Sequence, residues 1–318
     1  MPGFLLLGNC SIGFLTLFPG LQNYRKIFDV ICYDWMTEHS EKELEIKESY
    51  AKLGMNISTI LFVYACTCLM PFIVLDRMFL LKNYVLIHHV LENDTIGSWK
   101  YDALYTFHSY VAINVVLYYL VTNYLLFIIQ IIHVFGMARV IIYRLQTLSY
   151  CNDKISKTKL KGTYHHIHRV IVSCIIKHAH LIELCLLLES YYKPSLFIIL
   201  IGIIILMSVT LVQAMAFNIL SIKTIIIISG EIIFFAGLNY CGQEVTDISY
   251  QISINAYNVA WYSYPVYIQK LVILIIQRGQ INLIAKSGET FALSLANFGG
   301  AVKTAISYCM FLRRVQHL

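Results

Sequence analysis

Four stretches of this chain, residues 3–24, 58–75, 103–138 and 194–222, contain no Asp, Glu, Lys or Arg. Crossing the hydrocarbon core of a bilayer takes about 20 apolar residues in a helix. Each stretch is long enough, or nearly so, and a lipid-exposed chain must satisfy its backbone internally, as a helix or a closed barrel. The runs are continuous rather than alternating, so they read as helices and the chain as a polytopic membrane protein. Composition agrees: charged residues make up 13% and hydrophobic residues 58% of the 318, whereas soluble domains carry about 25% charged residues. The first stretch has no Lys or Arg before Arg25 and no small-x-small cleavage site, so it reads as a retained helix rather than a signal peptide. The nine cysteines lie mostly in apolar runs, in no disulfide or zinc spacing, and read as buried thiols.

Six helices are predicted, over 4–28, 54–81, 103–145, 170–219, 224–252 and 288–313. The third and fourth exceed a bilayer's thickness and are expected to project into water at one end. The segment between the last two is broken by Pro265 and Gly279 and is rich in Trp and Tyr, a composition suited to an interface. Basic residues set the orientation. Lys42, Lys47 and Lys52 with Arg25 and Lys26, then Lys154, Lys157, Lys159, Lys161 and Arg169, then Lys270, Arg278 and Lys286 all fall on one side, which is expected to be cytoplasmic. The opposite loops are poor in cations, and one carries an Asn-Asp-Thr acceptor at Asn93, which must face the lumen to receive a glycan. Both chain ends are therefore expected outside. Asn93 is the expected glycosylation site, and Asn9 and Asn56, in or beside membrane helices, are not.

Short motifs carry little chemistry. "LDRM" at Asp76-Arg77 has the acid–Arg order of rhodopsin-type G-protein-coupled receptors, yet the charge bias puts it outside and no Asn-Pro-x-x-Tyr follows. His89 and Asp94 stand in an H-x4-D spacing, but in the loop of the glycan acceptor. "HHIH" at 165–168, with His178 and His180, has no carboxylate or thiol set to complete a metal site. Nucleotide loops, nucleophile elbows and zinc-protease helices are absent. The chain reads as a non-enzyme, without cofactor or metal and without nucleic-acid features. Glu231 stands apart because it interrupts an apolar span, "TIIIISGEIIFFAGL"; intramembrane carboxylates are costly and face a cavity or a partner.

From Asn239 onward the sequence reads "NYCGQEVTDISYQISINAYNVAWYSYPVYIQKLVILIIQRGQINLIAKSGETFALSLANFGGAVKTAISYCMFLRRV". The ordered features "YCGQEV", Ser249, Ala256-Tyr257, "WYSYP", "QRGQ", "AKSGETFALSLANF" and "AISYCMFLR" resemble the C-terminal region of insect odorant receptors. Upstream, "HLIELCLLLESYY" resembles the family more loosely.

The resemblance implies an all-α membrane helix bundle of seven helices, with a C-terminal cytoplasmic anchor segment and a pore helix. Its parts are expected at 1–252 (the bundle), 253–287 (the subunit-packing anchor) and 288–318 (the pore-lining helix). The family's first helix is expected to be missing, residues 4–28 taking the place of the second. Function is implied too: an odour-gated, non-selective cation channel of four subunits, assembled with the odorant receptor co-receptor in the plasma membrane of an olfactory neuron dendrite. Expected partners are a volatile odorant, the co-receptor and membrane lipid. The family's outer-half cavity corresponds to Phe72, Phe107, His108, Ala112, Ile227 and Glu231. By alignment Phe311 takes the place of the apolar gate, and Thr304, Ser307 and Arg314 share its helical face. A gustatory receptor of the same superfamily and a metabotropic chemoreceptor are the alternatives. The odorant itself is not legible.

Overall fold

The computed structural model describes residues 24–37, 40–78, 113–152, 160–216, 222–281, 283, 285–288 and 291–316. Seven α-helices run through these residues: α1 over 24–36, α2 Glu41–Met78, α3 Ile113–Asn152, α4 Leu160–Ala216, α5 Ile222–Tyr257, α6 Val266–Gly279 and α7 Leu295–Gln316. A short 3-10 turn, Trp261–Ser263, joins α5 to α6, and a two-stranded hairpin precedes α7 (β1 Lys286–Ser287, β2 Phe291–Ala292). The expected all-α membrane bundle is what forms.

α3 is the centre of the molecule. It is apolar all round, and Ile128, Ile131, Ile132, Phe135, Ala138, Ile141, Ile142 and Leu145 are buried on more than one face, as befits a helix enclosed by others. Within the described residues three helices are long and apolar enough to cross a membrane, over Val121–Ser149, Tyr164–Val212 and Ile225–Ser263. Of their most apolar windows 72%, 39% and 33% respectively is buried inside the chain. The last two therefore leave apolar faces for lipid or another subunit.

The segment 28–54, expected as a basic loop, is instead helical over 24–36 and from 41 onward. Ser40 caps α2, accepting the Glu43 N–H at 3.4 Å. Periodicity explains why hydropathy misses this part: the stripe that α2 turns inward is Glu43, Lys47, Tyr50 and Gly54, four positions at helical spacing without one aliphatic residue. Their charges are paired. Arg144 of α3 donates Nε to Glu43 Oε1 at 2.6 Å and Nη2 to Oε2 at 2.8 Å, and a further nitrogen to Ser173 of α4. The Lys47 ammonium donates to the Asp34 carboxylate and to the Asp34 carbonyl, the latter at 3.1 Å, while His133 Nε2 lies 3.3 Å from Asp34 Oδ2. Burial works to raise the Asp34 pKa, but the contacts from His133 and Lys47 outweigh it and hold the carboxyl well below the usual carboxylate range. Lys47, counted above among the loop cations, is thus a buried helical residue.

Boundaries move elsewhere as well. α3 ends at Asn152 rather than 145, α4 begins at Leu160 rather than 170, and α5 runs to Tyr257 rather than 252. The last helix starts at Leu295, not 288, because the residues before it form the hairpin, with Lys286 opposite Ala292 and Ser287 opposite Phe291. Gly288 turns the hairpin at φ +67, and a Cβ there would sit 2.6 Å from the Phe197 ring; only glycine meets both conditions. The Gly288 N–H donates to the Lys193 carbonyl at 3.3 Å, next to Pro194, which contributes no N–H to the α4 ladder.

α6 packs on α5 through Ile268, Val272, Ile275 and Gly279. At Gly279 the two helices come so close that a Cβ would lie 2.8 Å from Ser253 Cβ.

Candidate functional site

The carboxylate flagged in the apolar span is inside the protein. Glu231 is 8% exposed on α5 and faces α4, where Thr210 Oγ1 lies 3.4 Å from Glu231 Oε1. The same hydroxyl donates to the Leu206 carbonyl at 2.7 Å, one turn back in its own helix. Glu231 Oε2 is buried and has no hydrogen-bond partner among the described residues. Ile227, one turn earlier on the same face, is half-buried. Phe72 lies on α2, while Phe107, His108, Ala112 and the glycan acceptor Asn93 fall outside the described residues. The structure therefore joins Ile227 and Glu231 on one face of α5.

A residue that the sequence did not single out lies close by. Tyr64 of α2 shares a hydrogen bond of 2.8 Å between its Oη and Ser229 Oγ of α5. The polar tip of a Tyr inside the apolar run "LFVYACTCLM" was the available signal. Between them, Tyr64 and Thr210 tie α2 and α4 to one turn of α5.

The last helix divides cleanly. Ala301, Ala305 and Cys309 are buried, the two alanines against Leu200, Ile203 and Met207 of α4 and Phe235 of α5. The other side is open: Thr304, Ser307, Phe311 and Arg314 are all exposed, Phe311 at 62%. Small residues on the inner face let α7 lie close to α4 and leave its larger side chains pointing away from the bundle. The Thr304 hydroxyl donates to the Gly300 carbonyl at 2.9 Å.

α7 is held at its entry. Ser294 Oγ accepts the Asn297 N–H at 3.2 Å, an N-cap. The Ser294 N–H donates to Asn239 Oδ1 of α5 at 3.1 Å, and Asn239 Nδ2 donates to the Phe235 carbonyl at 2.9 Å.

A cavity of about 40 Å³ lies among Phe127, Tyr192, Leu196, Val245, Leu293 and Lys286, near the hairpin and away from Glu231. Small-molecule pockets run to roughly 300–1,000 Å³, so this one is too small to hold an odorant.

Long apolar helices around a buried carboxylate, with a final helix whose outer face is bare, define an all-α membrane bundle. Residues 10–306 match the family described as 7tm Odorant receptor, and the chain belongs to that family, a receptor family rather than an enzyme family. Two solved structures share its fold: the insect olfactory receptor OR5 from Machilis hrabei, alone and in complex with eugenol. Each is 12% identical, with a TM-score of 0.74 over 99% of this chain and 79% of that one. No curated protein matches in sequence.

Proposed function

We propose that this odorant receptor is a subunit of an odour-gated, non-selective cation channel, formed with the co-receptor in the plasma membrane of an olfactory neuron dendrite. A volatile, mostly apolar molecule binds in the outer half of the bundle, where Phe72, Phe107, His108, Ala112, Ile227 and Glu231 contribute. One of the similar structures is a complex with eugenol. The observation that carries the channel reading is the bare face of α7. In a lone receptor Thr304, Ser307 and Arg314 would meet lipid, where polar groups are costly; around a water-filled axis shared by four subunits they are solvated. Residues 1–252 then act as the ligand-binding bundle, 253–287 as the anchor and 288–318 as the pore segment. The exposed Tyr257, Tyr262, Val266 and Leu274 around α6 suit subunit packing in the cytoplasm.

Recording from cells that express the chain with the co-receptor tests this directly. Odour-evoked cation current is expected to persist when intracellular GTP is omitted; a current that requires G-protein signalling would make the receptor metabotropic.

On this reading ions pass along the bare face of α7. A ring of apolar side chains closes a pore by excluding water, so Phe311→Ala is expected to raise the basal leak of the mixed channel. Arg314 lies about one turn further out, where a positive ring repels cations, so Arg314→Ala is expected to increase cation conductance with gating intact. Unchanged leak, conductance and selectivity in both variants would move the pore off this helix end.

A further inference from the structure

We propose that Asn239 is the positioning residue that transmits movement of α5 to the last helix, an inference that rests on the channel reading above. Ile227, Glu231, Phe235, Asn239 and Gly242 follow one another on α5 at spacings of four, four, four and three, so they form a single stripe. Its outer part carries the candidate ligand residues. Its inner part grips the start of the last helix at three successive points. The Phe235 and Phe298 rings lie 5.3 Å apart. Asn239 Oδ1 accepts the Ser294 N–H at 3.1 Å. At Gly242 a Cβ would stand 2.3 Å from Leu293 Cβ and 2.4 Å from the Leu293 carbonyl oxygen, so the two backbones touch.

Asn239 is the polar joint of the three. It is 0% exposed, and both ends of its carboxamide are used: one holds its own helix at the Phe235 carbonyl, the other holds the residue that caps α7. Glu231 and Asn239 are eight residues apart, about 12 Å along a helix. A rotation or tilt of α5 caused by a ligand near Glu231 must therefore carry the entry of α7 with it or break this hydrogen bond. Leu293 is also fixed to the hairpin side, through its N–H to the Ala285 carbonyl at 2.9 Å, so the entry of α7 is anchored from two directions. Packed interfaces respond by switching between arrangements.

The test compares Asn239→Leu, Asn239→Ala and Asn239→Asp with wild type, co-expressed with the co-receptor. Currents are normalised to receptor labelled at the surface and evoked by the strongest wild-type agonist from a panel of volatile phenols, esters and alcohols. Asp keeps the acceptor for the Ser294 N–H and, protonated at this buried position, can also donate to the Phe235 carbonyl in place of the amide. Loss of one hydrogen bond corresponds to about fivefold in an equilibrium. Maximal current per surface receptor is expected to fall by about that factor in the Leu and Ala variants and to be retained in Asp. Wild-type currents in Leu and Ala overturn the proposal. So does failure of both to reach the surface while Asp also loses current, since Asn239 would then serve folding alone. A wild-type channel that gives no odour-evoked current removes the channel reading itself, and this proposal with it.

Discussion

Arg144→Ala is expected to cost about 3–5 kcal/mol, the range found when one partner of a buried ion pair is removed. Arg144 makes two charge-assisted bonds to Glu43, at 2.6 and 2.8 Å, and a third to Ser173. The Glu43 side chain is 6% exposed, so water cannot take over. Removing the guanidinium therefore takes two charge-assisted bonds from a carboxylate buried between α2, α3 and α4. Thermal unfolding in detergent measures this, and the double variant Glu43→Leu/Arg144→Met sharpens it. Replacing both charges is expected to recover most of the loss, because an apolar pair of similar volume often matches a buried ion pair. Equal melting temperatures for wild type and Arg144→Ala would mean that the pair contributes nothing to the bundle.

Gly242→Ala is expected to be the most damaging Gly→Ala change among the described residues, at about 1–3 kcal/mol or more for overpacking. The atoms that a Cβ would meet belong to Leu293, and two of the three are backbone, at 2.4 and 3.0 Å. A side chain can rotate away from a clash; the strand of backbone entering α7 cannot. Gly299→Ala is the internal comparison, because a Cβ there meets nothing within 4 Å, and alanine is the better helix former by about 1 kcal/mol. The expected order of melting temperatures in detergent is Gly299→Ala at or above wild type, with Gly242→Ala well below. An unchanged melting temperature for Gly242→Ala would show that α5 and the entry to α7 separate freely.

The apolar runs made α3, α4 and α5 legible, because lipid and the protein interior ask for the same residues there. The inner half of α2 was not legible. Its buried stripe consists of Glu43, Lys47, Tyr50 and Gly54, and hydropathy scores such a stripe as surface. Only its partners, Asp34, His133 and Arg144, reveal that it is core, and those lie up to 101 residues away in sequence. The hairpin before α7 was equally hidden, since two-residue strands are too short to show alternation. Within the candidate site, Glu231 could be found because a carboxylate in an apolar run is conspicuous. Thr210 and Tyr64 could not, because a hydroxyl in such a run is ordinary until a contact across helices gives it a role. Asn239 was visible as the first residue of the family-like stretch, but its bond to Ser294 spans 55 residues, and no local pattern encodes it.

The pairing of Lys47 with Asp34 has a consequence for how the chain is made. Before α1 and α2 pack, the Lys47 ammonium is an uncompensated cation. Once α1 has docked, that charge is cancelled by the Asp34 carboxylate and shielded by the Trp35 ring, 5.5 Å from the ammonium. The ion pair thus forms only once α1 and the start of α2 have packed together. A helix pair inserted in opposite senses would leave Lys47 without its acceptor, so the ion pair discriminates correctly threaded chains from misthreaded ones.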